Sequence, residues 1–185
     1  MKKDILAVAV LLIFAAVFIM VTDFQSVEEY YNAHPEDVKN AEKTVTISIE
    51  CKSILKDINI KKLDESVLPY IPNNGIILKK TRFVLWDNDT VFDVLQRASQ
   101  YKKIPLEYQG STQNTFGSAY VEGINHLYEF SCGELSGWSY SVNGEFPQQG
   151  CSSYILKNGD NVKWLYSCDL GRDIGNTATG GYNEQ

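Results

Sequence analysis

The sequence predicts an α+β domain in which one main helix packs against a mixed β-sheet. Residues 44–51 alternate between apolar and polar side chains, which is the pattern of a strand buried on one face. Residues 91–98 place apolar side chains at helical spacing, and several short alternating segments follow them. This order of strands, one helix and further strands is typical of α+β domains, and no internal repeat is visible.

Local signals predict where the elements begin and end. Thr90 and Asp93 have the spacing of a capping box and predict the start of the helix, while Pro105 predicts its end. Asn143 and Gly144 form a strong hairpin-turn signal. The predicted strands cover residues 44–51, 76–86 with a break near Lys79, 106–108, 119–124, 126–130, 138–142, 153–156 and 161–168.

The first residues of the chain predict a membrane anchor. Residues 5–22 carry no charge, and a hydrocarbon core about 30 Å thick needs about 20 apolar residues. Lys2 and Lys3 precede this run, which places the N-terminus in the cytoplasm under the positive-inside rule. A cleaved signal peptide is the alternative, although no A-x-A-like cleavage site follows the run.

These segments define the predicted organisation of the chain. We expect a transmembrane signal anchor over residues 1–25, a short stalk over 26–43, the folded domain over 44–169 and a disordered tail over 170–185. The protein is then a single-pass protein of the cell membrane whose C-terminal domain is extracellular. Its net charge of -6 argues against nucleic acid as a partner, because phosphate-binding surfaces are normally basic.

The four cysteines predict disulfides in an oxidising compartment. Cys51, Cys132, Cys151 and Cys168 form no C-x-x-C motif, so we expect no metal site among them. Three pairings are possible for four cysteines. Cys51 and Cys168 each end an alternating strand on its apolar side, so they meet if the first and last strands are parallel neighbours; Cys132 then pairs with Cys151. Four buried free thiols are the alternative.

Aromatic residues near the turn at Asn143 predict a ligand-binding surface, because aromatic side chains on loops suit flat apolar ligands. The candidate binding residues are Trp138, Tyr140, Asn143, Phe146 and Tyr154. Core packing remains an alternative for Trp138 and Tyr140, since alternation places both on one strand face. Phe146 lies on the loop and is the better candidate for an exposed contact.

The known motifs of catalysis are missing from the sequence. It has no G-x-S-x-G elbow, no P-loop and no H-E-x-x-H motif, and His126 is the one histidine of the domain. We therefore expect no catalytic residue, no metal and no cofactor, and we expect that the protein is not an enzyme. Asp87, Asp89 and Asp160 lie beside turn residues and are interpreted as turn formers, with calcium binding as the alternative.

Four blocks of the chain carry a family resemblance. They are DTVFDVL at residues 89–95, YVEGI at 120–124, SGWSYSVNG at 136–144 and GDNVKWLY at 159–166. In order and spacing they resemble the transcobalamin-like C-terminal domain family, catalogued in bacteria as domain of unknown function 4430. The resemblance covers about residues 44–169.

This resemblance implies a β-grasp-like fold related to soluble-ligand-binding domains. In vitamin B12 carriers the related domain covers one side of the corrinoid. The carriers also have a helical barrel domain that holds the other side, and this chain has no segment long enough to supply one.

The expected function combines these points. We expect a membrane-anchored extracellular binding module that captures a soluble small ligand, and the resemblance implies cobalamin or a related corrinoid as that ligand. The alternative is a cell-surface module for protein or glycan interaction, as in adhesion.

Overall fold

The computed structural model describes residues 41–115 and 117–176. The predicted anchor, most of the predicted stalk and residues 177–185 of the predicted tail lie outside these ranges. Among the described residues, no helix is both long enough and apolar enough to cross a membrane.

The described chain contains strands, two helices and three short 3-10 helices. The strands are β1 (Thr44–Glu50), β2 (Ile76–Val84), β3 (Leu106–Gln109), β4 (Tyr120–Ile124), β5 (Leu127–Tyr128), β6 (Gly137–Val142) and β7 (Asn161–Ser167). The helices are the four-residue α1 (Asp57–Ile60) and the main helix α2 (Val91–Lys102). The 3-10 helices are Lys52–Leu55, Leu68–Tyr70 and Arg172–Ile174.

The strands form two sheets. The larger sheet has the order β2-β1-β7-β6, and the smaller has the order β3-β4-β5. β1 and β7 are parallel, with Thr46 opposite Asn161 and Glu50 opposite Leu165, whereas β2 and β6 pair with them in the antiparallel sense. The predicted mixed α+β fold with one main helix is therefore confirmed, as is the parallel pairing of the first and last strands.

The predicted break in the second strand is a bulge. Ile47 lies opposite Thr81 and Ile49 lies opposite Leu78. Between these two pairs β1 moves two positions along the chain and β2 moves three, so β2 contains one extra residue. The extra residue falls at Lys79 or next to it, and such a bulge bends the strand locally.

The main helix begins at the predicted capping box. The backbone N–H of Asp93 donates to Thr90 Oγ1 at 3.2 Å, and the backbone N–H of Thr90 donates to Asp93 Oδ2 at 2.8 Å. The helix ends at Lys103, which takes the left-handed conformation with φ 55°, two residues before Pro105. Local sequence signals therefore mark both ends of α2.

One face of the large sheet carries two hydrophobic clusters. The main core packs α2 against the face that holds Ile47 and Trp164, and the second core begins where this face continues to Cys51 and Tyr166. The residues of the second core are Cys51, Ile54, Leu63, Val67, Leu127, Cys132, Tyr166 and Cys168. The loops at this end of the sheet therefore rest on a core of their own.

A buried ion pair joins β2 to α2. Arg97 donates to both carboxylate oxygens of Asp89, at 2.8 and 2.6 Å, and also to the carbonyl of Val84 at 3.1 Å. Asp89 additionally accepts the backbone N–H of Trp86, whose ring lies 4.2 Å from the guanidinium carbon of Arg97. The two-pronged geometry fixes the turn between strand and helix.

The prediction of a strand over residues 153–156 is wrong. This segment makes only an isolated bridge between Thr90 and Ile155. Carbonyls of residues 151–154 complete the start of α2 instead, because Tyr154 O accepts the N–H of Val91 and Cys151 O accepts the N–H of Phe92. The first N–H groups of a helix lack partners within the helix, and here residues 151–154 supply them.

The first part of the predicted disordered tail is ordered. Residues 170–176 include the 3-10 helix Arg172–Ile174. The carboxylate of Asp173 accepts the hydroxyl of Ser167 at 2.5 Å and the backbone N–H of Cys168 at 2.9 Å, so this helix is tied to the end of β7.

All four cysteines are buried free thiols in the structure, and the predicted disulfides stay a prediction. Cys151 lies in the main core and donates to the carbonyl of Ala119 at 3.2 Å, whereas Cys132 lies in the second core. The predicted bond between Cys132 and Cys151 would therefore have to connect residues of two separate cores. Cys51 and Cys168 share the second core, but the hydrogen-bond partners of the Cys168 thiol are Cys132 and Ser53.

We predict that Asp89→Asn destabilises the protein by about 3 kcal/mol, because it leaves the charge of Arg97 buried without a counter-charge. Urea unfolding measures this change. The control is Asp87→Asn, which removes the exposed pair between Lys43 and Asp87 and should leave the midpoint unchanged. A loss below about 1 kcal/mol in Asp89→Asn would show that the ion pair is not a structural element.

We also predict that the protein loses stability in alkali through two buried thiols. Burial raises the pKa of Cys51 to about 12 and that of Cys151 to about 11. The pKa of a thiol in the unfolded chain is about 8.5, so above that pH the unfolded state binds fewer protons than the native state. The stability is fully present below this value and is lost as pH rises, by about 2 kcal/mol per thiol at pH ~10.

Urea unfolding between pH 7 and pH ~10 checks this alkaline loss. The double variant Cys51→Ala/Cys151→Ala should show a shallower loss over the same range, whatever its stability at neutral pH. Parallel slopes for the two proteins contradict the prediction.

Candidate functional site

The predicted strand aromatics lie at the margin of the core. Trp138 is half-buried, its indole N–H donates to the carbonyl of Leu127 at 2.8 Å, and its ring centroid lies 5.2 Å from that of Tyr166. Tyr140 is also half-buried and lies 5.7 Å from Trp164 and 6.3 Å from Tyr154. Both strand aromatics therefore contribute to packing and keep only part of each ring exposed.

The predicted loop tip is a built turn. Asn143 has φ 55° and Gly144 has φ 91°. The side-chain amide of Asn143 donates to Asp160 at 2.8 Å and accepts the backbone N–H of Asn161 at 2.9 Å. Phe146 is half-buried rather than fully exposed. Ligand binding by Trp138, Tyr140, Asn143, Phe146 and Tyr154 stays a prediction.

A different set of apolar residues is exposed at the end of the sheet that carries the second core. Phe130, Leu135 and Leu170 are 60%, 43% and 43% exposed. We call these three residues the Phe130 surface. Phe130 and Leu170 also have positive φ angles of 65° and 46°. Bulky residues rarely adopt this conformation, which costs about 1–2 kcal/mol per residue, and such strain is concentrated at functional sites.

Backbone hydrogen bonds hold the loop between β5 and β6 in this strained form. The N–H of Phe130 donates to the carbonyl of Ser136 at 3.0 Å, and the N–H of Gly133 donates to the carbonyl of Phe130 at 3.1 Å. The buried hydroxyl of Ser136 accepts the N–H of Cys132 at 3.0 Å and the phenol O–H of Tyr166 at 3.0 Å. The second core thus fixes the loop from below.

The third residue of the Phe130 surface comes from the segment after β7. The N–H of Leu170 donates to the carbonyl of Leu135 at 2.8 Å, so the two segments are joined directly. The N–H of Gly171 donates to the hydroxyl of Ser167 at 2.6 Å. The Phe130 surface is therefore formed by two loops that a hydrogen bond connects.

Three cavities converge on this surface. One of about 200 Å³ is lined by Phe130, Leu135, Trp138 and Leu170 among others. A more open one of about 850 Å³ also touches Phe130. A third of about 330 Å³ also touches Leu135. Concave regions lined by aromatic and aliphatic side chains are typical of small-molecule sites.

Aromatic rings form one wall of the open cavity. A Cβ atom at Gly123 would approach the ring of Tyr128 to 2.5 Å, so a larger residue there would displace this ring. Tyr70 and His126 lie beside it with ring centroids 4.2 Å apart. The cavity therefore offers flat rings as well as the exposed side chain of Phe130.

The rim of the site is polar and carries both signs of charge. Lys62 lines two of the cavities, and Glu129 and Glu134 each line two. The hydroxyl of Tyr120 donates to Glu129, and burial together with this carboxylate raises the pKa of Tyr120 to about 12. Tyr120 therefore stays neutral at physiological pH and holds the Glu129 side chain beside Phe130.

Comparison with protein families finds a match for the central part of the chain. Residues 88–167 match the family described as "Domain of unknown function (DUF4430)". The family resemblance seen in the sequence is thus confirmed over these residues. The DUF4430 region contains Phe130 and Leu135, and Leu170 lies just beyond its end.

Two solved structures share a weaker likeness with the chain. Haptocorrin in complex with Cbi is 16% identical with a TM-score of 0.46, over 69% of this chain and 25% of that chain. A "putative metal binding protein" from Ruminococcus gnavus ATCC 29149 is 10% identical with a TM-score of 0.43, over 68% of this chain and 97% of that chain. This chain spans only about a quarter of the length of haptocorrin.

Comparison with curated proteins finds no match. Within the part of the chain that the structure describes, no group of three or more histidine, cysteine, aspartate or glutamate side chains is arranged to hold a metal ion.

Sequence reasoning missed the Phe130 surface because the residues that form it carry no pattern. Phe130 falls in the predicted strand over residues 126–130, and Leu170 falls in the predicted tail. The available signal was the loop SCGELSG at residues 131–137, in which the single apolar residue Leu135 stands among small and polar residues.

We predict that Phe130→Gly leaves the free energy of unfolding within about 1 kcal/mol of the native value. Glycine removes the left-handed strain, and its greater freedom in the unfolded chain offsets that gain. Urea unfolding measures the change. The control Phe83→Ala, at a buried ring of the main core, should cost about 3–5 kcal/mol. A comparable loss in Phe130→Gly would assign Phe130 a structural role.

Proposed function

We propose that the protein is a binding module that captures a soluble small ligand on the Phe130 surface. The observation that carries the proposal is the exposure of Phe130 in a strained left-handed conformation. Folding gains nothing from an exposed ring held at a cost, whereas a binding site gains a rigid apolar contact.

The geometry supports a ligand that is flat and mostly apolar with polar groups at its edge. Phe130, Leu135 and Leu170 supply the apolar contact, while Glu129, Glu134 and Lys62 supply charged or hydrogen-bonding groups around it. The cavities are open, so the module covers one side of the ligand. A corrinoid has this chemistry, with a flat ring and peripheral amides, and it is the ligand class that the family resemblance implies.

The arrangement of strands agrees with the β-grasp-like fold that the same resemblance implies. The parallel strands β1 and β7 lie at the centre of the large sheet, and α2 packs on one face. We propose that this domain is presented outside the cell on the stalk and anchor predicted over residues 1–43, and that it binds rather than catalyses. The uncharged run at residues 5–22 supports the anchor.

A cell-surface protein or glycan is the second candidate partner. The supporting observation is Ile58, which is 67% exposed and lines the same cavity as Leu135. It extends the apolar area beyond the Phe130 surface, and larger exposed apolar areas are typical of protein interfaces.

We predict that cobalamin or cobinamide binds the protein and that Phe130→Gly weakens this binding at least about tenfold, which corresponds to ~1.4 kcal/mol. Titration of the purified protein, followed by corrin absorbance and by calorimetry, measures the affinity. The matched control is Ile155→Ala, which removes an exposed apolar side chain that none of the three cavities includes. Phe146→Ala tests the loop tip in the same way.

Each outcome separates the candidates. No response at high micromolar corrinoid rejects the corrinoid as ligand. Equal affinity in Phe130→Gly and the unchanged protein rejects the Phe130 surface as the site, and a loss in Phe146→Ala alone transfers the site to the loop tip. Capture of a cell-wall protein or glycan that depends on Ile58 and Phe130 favours the second candidate.

A further inference from the structure

We propose that Cys132 and Cys168 form a disulfide that links the loop between β5 and β6 to the segment after β7. This pairing differs from both bonds that the sequence predicts. The two cysteines form a modification site in the second core. The formation of their bond does not depend on the proposed function.

The position of the two thiols carries the proposal. Cys132 and Cys168 are 1% and 7% exposed, lie in the same core and line the same cavity of about 330 Å³. Their side chains are hydrogen-bond partners. A disulfide requires two cysteines whose side chains face each other, and hydrogen-bonded thiols have this arrangement.

The other two cysteines are placed differently. Cys51 belongs to the same core, but the charged group that acts on its thiol is the neighbouring Glu50. Cys151 lies in the main core, where its thiol donates to the carbonyl of Ala119. Both are therefore expected to remain thiols.

The bond forms by exchange with a disulfide reagent. One cysteine thiolate attacks a sulfur of the reagent R–S–S–R, forms a mixed disulfide and releases the first RS⁻. The second cysteine thiolate attacks the protein sulfur of that mixed disulfide and releases the second RS⁻. The two cysteines are oxidised by two electrons, the reagent is reduced, and the two thiol protons end on the two RSH products.

Burial determines when this exchange takes place. Burial, followed by the neighbouring thiol of Cys132, raises the pKa of Cys168, so little thiolate is present in the folded domain near neutral pH. Exchange is therefore fast while the chain folds and slow afterwards, in both directions. A bond made during folding outside the cell would persist.

The bond would connect the two loops that build the Phe130 surface. Cys132 lies between Phe130 and Leu135, and Cys168 lies two residues before Leu170. The hydrogen bond from Leu170 to Leu135 already joins these loops. The effect of the bond on ligand affinity rests on the proposed function, because a tethered surface is better organised for binding.

Peptide mapping tests the pairing without any ligand. The whole chain, unfolded and reduced, is refolded in a mixture of reduced and oxidised glutathione, and free thiols are then alkylated in denaturant. Cleavage after Glu134 and Glu145 separates Cys132 from Cys151, and cleavage after Lys157 separates Cys151 from Cys168. We expect alkylation of Cys51 and Cys151 and one linked peptide pair that contains Cys132 and Cys168. Four alkylated cysteines, a stable glutathione adduct, or a link through Cys51 or Cys151 overturns the proposal.

Two variants keep the test decisive. Cys51→Ala/Cys151→Ala retains only the proposed pair and should refold with no free thiol, whereas Cys168→Ser should leave its three remaining cysteines alkylated. In the oxidised protein, hydrogen exchange at the amide of Leu170 should slow by roughly tenfold relative to the reduced protein. Equal exchange in the two forms overturns the tether even if the bond is present. A protein that forms the bond and binds no ligand rejects only the proposed function.

Discussion

The parallel pairing of β1 with β7 is the constraint on which the rest of the structure depends. It joins strands from opposite ends of the described domain, with Ile47 opposite Val162 and Ile49 opposite Trp164. Their shared apolar face supports α2 in the main core and then continues into the second core. Contacts so distant along the chain form only after a large loss of conformational freedom, so the domain is expected to fold as a whole.

The ends of the main helix illustrate what local sequence can predict. Thr90, Asp93 and Pro105 predicted the boundaries of α2, and alternation predicted β1 and β7, because each of these features is decided within a few residues. The segment over residues 153–156 is also predicted to be a strand but is not one. The carbonyls of Cys151 and Tyr154 complete the start of α2, and a short sequence carries no information about such a distant partner.

The cysteines and the candidate site show the same limit. Cys51 and Cys168 share the second core, yet the thiol that is a hydrogen-bond partner of Cys168 belongs to Cys132, on a loop whose path is not encoded by alternation. The sequence reveals the aromatic side chains near Asn143, whereas Phe130 is distinguished by its backbone conformation. The sequence shows that residue 130 is a phenylalanine, but it does not predict the left-handed φ angle of this residue.

The bulge in β2 has a consequence for neighbouring molecules. β2 is an outer strand of the large sheet, so one side of its backbone has no partner strand within that sheet. The bulge near Lys79 bends this side, and the exposed side chains of Lys79, Lys80 and Arg82 add positive charge along it. A regular, uncharged outer strand is a template for pairing with another chain, whereas a bent and charged one is a poor template. Copies of the domain crowded on one surface would therefore remain separate rather than join into continuous sheets.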